Sequence, residues 1–220
     1  MALMDLFKPK WKNPDPDIRE AAVAKIADPA LLAEIAKNDK SNSVHMAAVR
    51  NPNFTDQAVL AEIAKNDESY PVRRDAVEKL TDQALLAEIA KNDEEWFVRE
   101  AAVKKLTDQA TLAYVAKNDK SHILRTDAVK KLTNQALLAD IAKNDEDFRV
   151  HLAAVENKNF TDQALLAEIA KNDLDSKVRE AAVENPNLTD QALLADIAKN
   201  DKSNDVRKAA VGKLTDQAAL

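Results

Sequence analysis

Thr81-Asp82-Gln83-Ala84-Leu85-Leu86-Ala87-Glu88-Ile89-Ala90-Lys91-Asn92-Asp93 is the stretch that decides the fold, because close copies of it run through the whole chain. Leu85, Leu86, Ile89 and Ala90 fall at helical spacing and make one apolar stripe. Thr81 stands where an N-cap hydroxyl would accept a backbone N–H, and Asp82 follows in the first turn, where a carboxylate suits the helix dipole. Asn92 suits the left-handed conformation that stops a helix. The closing Lys-Asn-Asp starts at Lys37, Lys65, Lys91, Lys117, Lys143, Lys171 and Lys199, in steps of 28, 26, 26, 26, 28 and 28 residues. A fixed period of this length marks a repeat array, in which each repeat buries its apolar face only by stacking on its neighbours.

Between two such stretches lies a second helical pattern. Val98, Arg99, Ala101, Ala102, Val103 and Leu106 cover a wide arc, so this helix B is expected to be buried around most of its circumference, and its paired alanines permit close approach. A helix of about ten residues is only about 15 Å long and marginal alone. The 28-residue repeats differ at one place. Where the others read Lys-Leu-Thr, they read Asn51-Pro52-Asn53-Phe54-Thr55, Asn157-Lys158-Asn159-Phe160-Thr161 and Asn185-Pro186-Asn187-Leu188-Thr189, a longer turn from B to A.

Composition supports helix almost throughout. Among 220 residues there is one glycine, Gly212, and 45% are hydrophobic but only 4% aromatic. The formal charge is −6 with both signs interspersed, which argues against a nucleic-acid partner needing a concentrated basic face. Without cysteine there is no disulfide, no thiolate metal site and no cysteine nucleophile, which fits a cytoplasmic location. No stretch is apolar enough to span a membrane. Residues 1–17, with Trp11 and the lysines Lys8, Lys10 and Lys12, read as an N-terminal cap on a single continuous array from 18 to 220. At the other end a stub of helix A stops at Leu220, and Val211, Leu214 and Leu220 are expected to leave an apolar end exposed, a place for end-to-end self-association.

The run Asp93-x-x-x-x-Val98-Arg99, with alanines next, resembles the HEAT repeat family. It returns as Asp67 with Arg73, Asp119 with Arg125, Asp173 with Arg179 and Asp201 with Arg207. That resemblance implies a right-handed all-α solenoid, here of short two-helix repeats, in which these aspartates and arginines form a ladder between neighbours. Val178–Asp201, with Asn-Pro-Asn followed by Leu-Leu-Ala-Asp-Ile-Ala, also looks like the leucine-rich repeat variant. The known member of that family carries an iron–sulfur cluster, which a chain without cysteine cannot copy. His45 and His151 replace the ladder arginine in two repeats and are expected to make the same hydrogen bond. They are too far apart to share a metal.

Positions that vary between repeats are free to specialise. The position two before the first valine of helix B reads Asn42, Tyr70, Trp96, His122, Phe148, Ser176 and Asn204. Tyr70, Trp96, His122 and Phe148 thus occupy consecutive central repeats, with Phe97, Ile123, Met46 and Leu152 beside them. Two readings stay open: rings folded over the A-to-B turn as packing, or an exposed ridge for a protein or peptide partner. Farther along the same face, Arg74 with Glu78 and Glu100 with Lys104 are charge pairs that solvate it. Carboxylates sit at repeating exposed positions instead of converging in a pocket, and one glycine excludes a Gly-rich phosphate loop. The expected function is a non-enzymatic interaction scaffold without cofactor or metal. Alternatives are an engineered or purely structural array, and an enzyme on a HEAT-like solenoid, as in bilin lyases and base-excision glycosylases.

Overall fold

Helices of nine or ten residues alternate with turns of a few residues from α2 (Pro29–Asn38) to α15 (Asn204–Lys213), and no strand occurs among the described residues. The computed structural model describes residues 9–215. The chain divides into two compact units, Met1–Leu106 and Thr107–Leu220. The first contains α1 (Pro16–Val23), α2, α3 (Asn42–Arg50), α4 (Gln57–Asn66), α5 (Tyr70–Lys79), α6 (Gln83–Asn92) and α7 (Trp96–Lys105). The second contains α8 (Gln109–Asn118), α9 (His122–Lys131), α10 (Gln135–Asn144), α11 (Phe148–Glu156), α12 (Gln163–Asn172), α13 (Ser176–Glu184), α14 (Gln191–Asn200) and α15. Even-numbered helices are A, odd-numbered ones B.

Each A helix packs on the B helix that follows it, and within each unit successive B helices pack on one another: α1, α3, α5 and α7 in the first, α9, α11, α13 and α15 in the second. The A helices touch each other far less. This asymmetry follows from side-chain size. Alanines such as Ala48, Ala76, Ala102, Ala128, Ala154 and Ala182 are fully buried on the B helices, letting their backbones come close, while Leu and Ile of helix A reach in from one side. The residue before each threonine plugs the B-to-A turn: Phe54, Leu80, Leu106, Leu132, Phe160 and Leu188 are all buried to 1% or less.

Two local expectations are corrected. The N-cap of α6 is Asp82, not Thr81: its carboxylate accepts from Ala84 N (2.8 Å) and Leu85 N (3.2 Å). Thr81 is engaged elsewhere, donating through N and Oγ1 to Gln57 Oε1 of the preceding helix A (3.0 and 3.1 Å). Asn92 does not adopt a left-handed conformation; no non-glycine residue described has positive φ. It is the last helical residue, and the chain leaves α6 through Asp93 in extended geometry. The side chain of Asp93 supplies the reason, since its Oδ1 accepts from Glu95 N (2.9 Å) and so turns the chain directly into helix B.

Before α1, a 3-10 turn at Lys10–Lys12 packs on that helix, with the Lys12 ammonium 4.5 Å from the Trp11 ring centroid. The opening Met1–Phe7 segment and the helix-A stub ending at Leu220 lie outside the described residues. Of the apolar C-terminal trio, Val211 is exposed and Leu214 half-buried.

Candidate functional site

The candidate site is the exposed surface of the B helices, and what fixes that surface is a set of joints between repeats. In the first joint, Arg73 Nε and Nη2 donate to both carboxylate oxygens of Asp93 (3.0 and 3.1 Å), while Nη1 donates to the carbonyl of Asp67 (2.9 Å). Arg125 bridges Asp145 and the carbonyl of Asp119 in the same way, and Arg179 bridges Asp201 and the carbonyl of Asp173. Arg19 does so with Asp39 and the carbonyl of Asn13. Arg99 and Arg207 donate to the carbonyls of Asp93 and Asp201 (2.8 and 2.7 Å). So each arginine holds its own repeat's turn and, in these bidentate cases, the next repeat's aspartate, the fork geometry that suits guanidinium to carboxylate. His45 imitates it with Nδ1 at 3.1 Å from Asp67 Oδ2 and Nε2 on the Asp39 carbonyl; His151 Nε2 lies against the Asp145 carbonyl.

The Arg179 hydrogen bonds hold the Asp201 carboxyl below the usual carboxylate range. A carboxylate with a lowered native pKa binds fewer protons folded than unfolded, so its contribution is complete above about pH 4 and is lost as pH falls through the native value. Asp201→Asn should therefore lower stability at pH 7 and flatten the acid limb of the stability profile, measured by denaturant titration at a series of pH values.

A second joint carries no motif conspicuous in the sequence. At the seventh position after the first valine of helix B, 26-residue repeats have lysine and 28-residue repeats have asparagine, and both cap the preceding B helix. Lys79 Nζ donates to the carbonyls of Val49, Asn51 and Phe54 (2.6–2.8 Å). Lys213 reaches those of Asn185 and Leu188, and Lys105 that of Glu78. Buried Asn51 Nδ2 instead reaches Val23 and Ile26, Asn157 reaches Val129 and Leu132, and Asn185 reaches Val155. These carbonyls lie at the C-terminal ends of the B helices or in the turns just after them, where partial negative charge gathers, which explains why a cation or an amide serves. Burial pushes the Lys79, Lys131 and Lys213 ammonium groups down in pKa. A third joint runs from Gln57, Gln109, Gln135, Gln163 and Gln191, each accepting from a threonine of the next repeat. Gln57 and Gln109 also donate to the carbonyls of Lys79 and Lys131. Gln135 faces a longer turn, and its buried Nε2 has no partner among the described residues.

On this frame the structure brings three of the predicted ring residues together. In the first unit Trp96 and Phe97 stack with ring centroids 3.7 Å apart, and Phe97 stacks on Tyr70 at 6.0 Å and 14°. Tyr70 and Phe97 remain 40% and 36% exposed, and Trp96 is half-buried. Beside them a shallow groove is lined by Arg74, Glu78, Phe97, Glu100, Ala101 and Lys104. Glu78 lies 3.8 Å from Arg74, and Lys104 binds Glu100 at 2.7 Å. Arg74 is also fixed by the buried Asp75 carboxylate (2.8 Å), which takes Arg50 at 2.6 Å. Met46 is not in this cluster; it lines a separate groove with Ala21, Ala24 and Ala47 between α1 and α3.

In the second unit Phe148 is 43% exposed, with the Arg149 guanidinium carbon 5.7 Å from its ring centroid. Asp147 holds Arg149 with two hydrogen bonds (2.9 and 2.6 Å). Those bonds, the cap to Arg149 N and the charge of His122 place the Asp147 carboxyl far below the usual range. His122 and Leu152 are half-buried, and Ile123 is exposed. No group of three or more potential metal ligands occurs among the described residues, and no described helix is long and apolar enough to cross a membrane.

No protein-family model matches the chain, and no curated protein matches it. Among solved structures, the X-ray structure of YibA from Escherichia coli is similar, with a TM-score of 0.56 at 17% identity over 95% of this chain and 89% of that one. At that identity the likeness concerns the fold. Together with the alternating helices and their joints, it establishes the chain as an all-helical solenoid of repeated helix pairs.

Proposed function

We propose that this chain is a non-enzymatic scaffold of HEAT-like repeats that binds a protein or peptide through the exposed face of its B helices. The observation that carries this reading is the Trp96–Phe97–Tyr70 stack. Three large rings gather at the N-terminal ends of two neighbouring helices and leave two of their members more than a third exposed. Aromatic side chains offer large contact area at small entropic cost, which is why they anchor interfaces. The groups around the stack are held by the joints and charge pairs, so the surface is presented in fixed geometry.

The test is the Trp96→Ala/Phe97→Ala double variant. Peptides selected from a random library on the wild-type protein should bind it at least about tenfold more weakly, as expected for an aromatic anchor. Thermal unfolding should stay within about 1 kcal/mol of wild type, as for surface changes. Binding kept, with a loss of several kcal/mol in stability, would make the stack a packing device instead.

A further inference from the structure

Each Tyr, Trp or Phe ring on helix B is preceded by a carboxylate two residues earlier. Glu68 precedes Tyr70, Glu94 precedes Trp96 and Glu146 precedes Phe148. Where the position holds no phenyl, phenol or indole ring the carboxylate is absent: Lys40 precedes Asn42, Lys120 precedes the His122 imidazole and Lys202 precedes Asn204, with Leu174 before Ser176. The arginine ladder does not require this. Glu94 and Glu146 do stand 3.6 Å from Arg73 and Arg125. Yet Lys40 and Lys202 hold the same place next to Asp39 and Asp201, which receive Arg19 and Arg179, and Glu68 follows Asp67, which receives His45. The ladder works with either sign, so the charge goes with the ring.

A ring face next to a carboxylate is a site for a cation, attracted by the ring quadrupole and neutralised by the acid. In the second unit a cation on the ring comes from within the chain: Arg149 lies over Phe148 and is held by Asp147, one residue before the ring, while Glu146 stands by Arg125. In the first unit the residue after the ring is Pro71 or Phe97 and supplies no such cation. There Glu68, Glu94 and Glu95 stand on the turns that lead into the ring-bearing starts of α5 and α7.

We propose that the Trp96–Phe97–Tyr70 face binds a basic peptide segment, with arginine or lysine side chains on the rings and their charges met by Glu68, Glu94 and Glu95. This rests on the scaffold reading above and adds the chemistry of the partner. The net charge of −6 favours the approach of such a segment.

The chain has two tryptophans, so Trp11→Phe leaves Trp96 as the sole reporter of its own site. In that background, emission is titrated with a short arginine-rich peptide, with the same peptide carrying glutamine for arginine, and with an acidic counterpart. Only the basic peptide should shift the emission, with affinity falling as salt rises. Glu68→Gln/Glu94→Gln/Glu95→Gln, which keeps every ring, should weaken it about tenfold, as for loss of several exposed charge contacts. Equal binding of the glutamine or acidic peptide, or no effect of the three substitutions, would overturn the basic-partner inference while leaving the scaffold reading intact. If none of the three moves the emission, the basic-partner inference fails. If, in addition, library-selected peptides bind the Trp96→Ala/Phe97→Ala variant as well as wild type, the scaffold reading fails too.

Discussion

Arg125→Met is expected to destabilise the second unit by about 3–5 kcal/mol, because removing one partner of a buried pair leaves the other charge uncompensated. Arg125 and Asp145 are only 7% and 9% exposed as side chains. Asp145 would keep its bond to Asp147 N (2.9 Å) but lose both bonds to the guanidinium. The carbonyl of Asp119 would lose its donor as well. The double change Arg125→Met/Asp145→Leu should recover part of the loss, since no buried carboxylate then remains. It should not recover all of it, because the cap on Asp147 N is gone. Urea titration of wild type, both single variants and the double variant gives the coupling directly. A single variant within about 1 kcal/mol of wild type would show that the ladder behaves like a surface pair.

Phe160→Ala should cost about 3–5 kcal/mol, the range for emptying a fully buried aromatic site. Its side chain is completely buried under the long turn after α11. Phe160→Leu should cost less than about 1.5 kcal/mol, since Leu188 fills the equivalent place in the next 28-residue repeat and is 1% exposed there. Thermal unfolding of the two variants side by side separates volume from ring chemistry. A loss for leucine as large as for alanine would mean that the ring itself is required.

Much of the architecture was legible because it is periodic. A stripe such as Leu85, Leu86, Ile89 and Ala90 reports helix and burial together, and seven copies remove the ambiguity of one. The Asp–Arg ladder was legible from its resemblance alone; which aspartate each arginine grips depends on stacking, which spacing does not give. Thr81 was misplaced by one residue because threonine and aspartate are both good caps, and only the Gln57 contact decides between them. The Lys79 and Asn51 joint was hidden because both acceptors are backbone carbonyls, which leave no mark in the sequence. Of the ring column, the positions were legible but packing or exposure was not, since both readings fit the spacing; Tyr70 and Phe148 are exposed. The stacking of Phe97 between Trp96 and Tyr70 was not legible either, because it needs side-chain torsions that no spacing reports.

The joint at the end of helix B also bears on how such a chain can grow. Lysine follows a long turn at Lys79 and a short one at Lys105, and asparagine follows a short turn at Asn157 and a long one at Asn185. All four orders of long and short neighbours thus coexist in one polypeptide. Because the acceptors are main-chain atoms, which every amino acid supplies, a repeat need not match the side chains of the end it docks upon. Duplication, deletion or exchange of whole repeats in the gene then yields a joint that closes without compensating mutation, and array length becomes a freely heritable quantity.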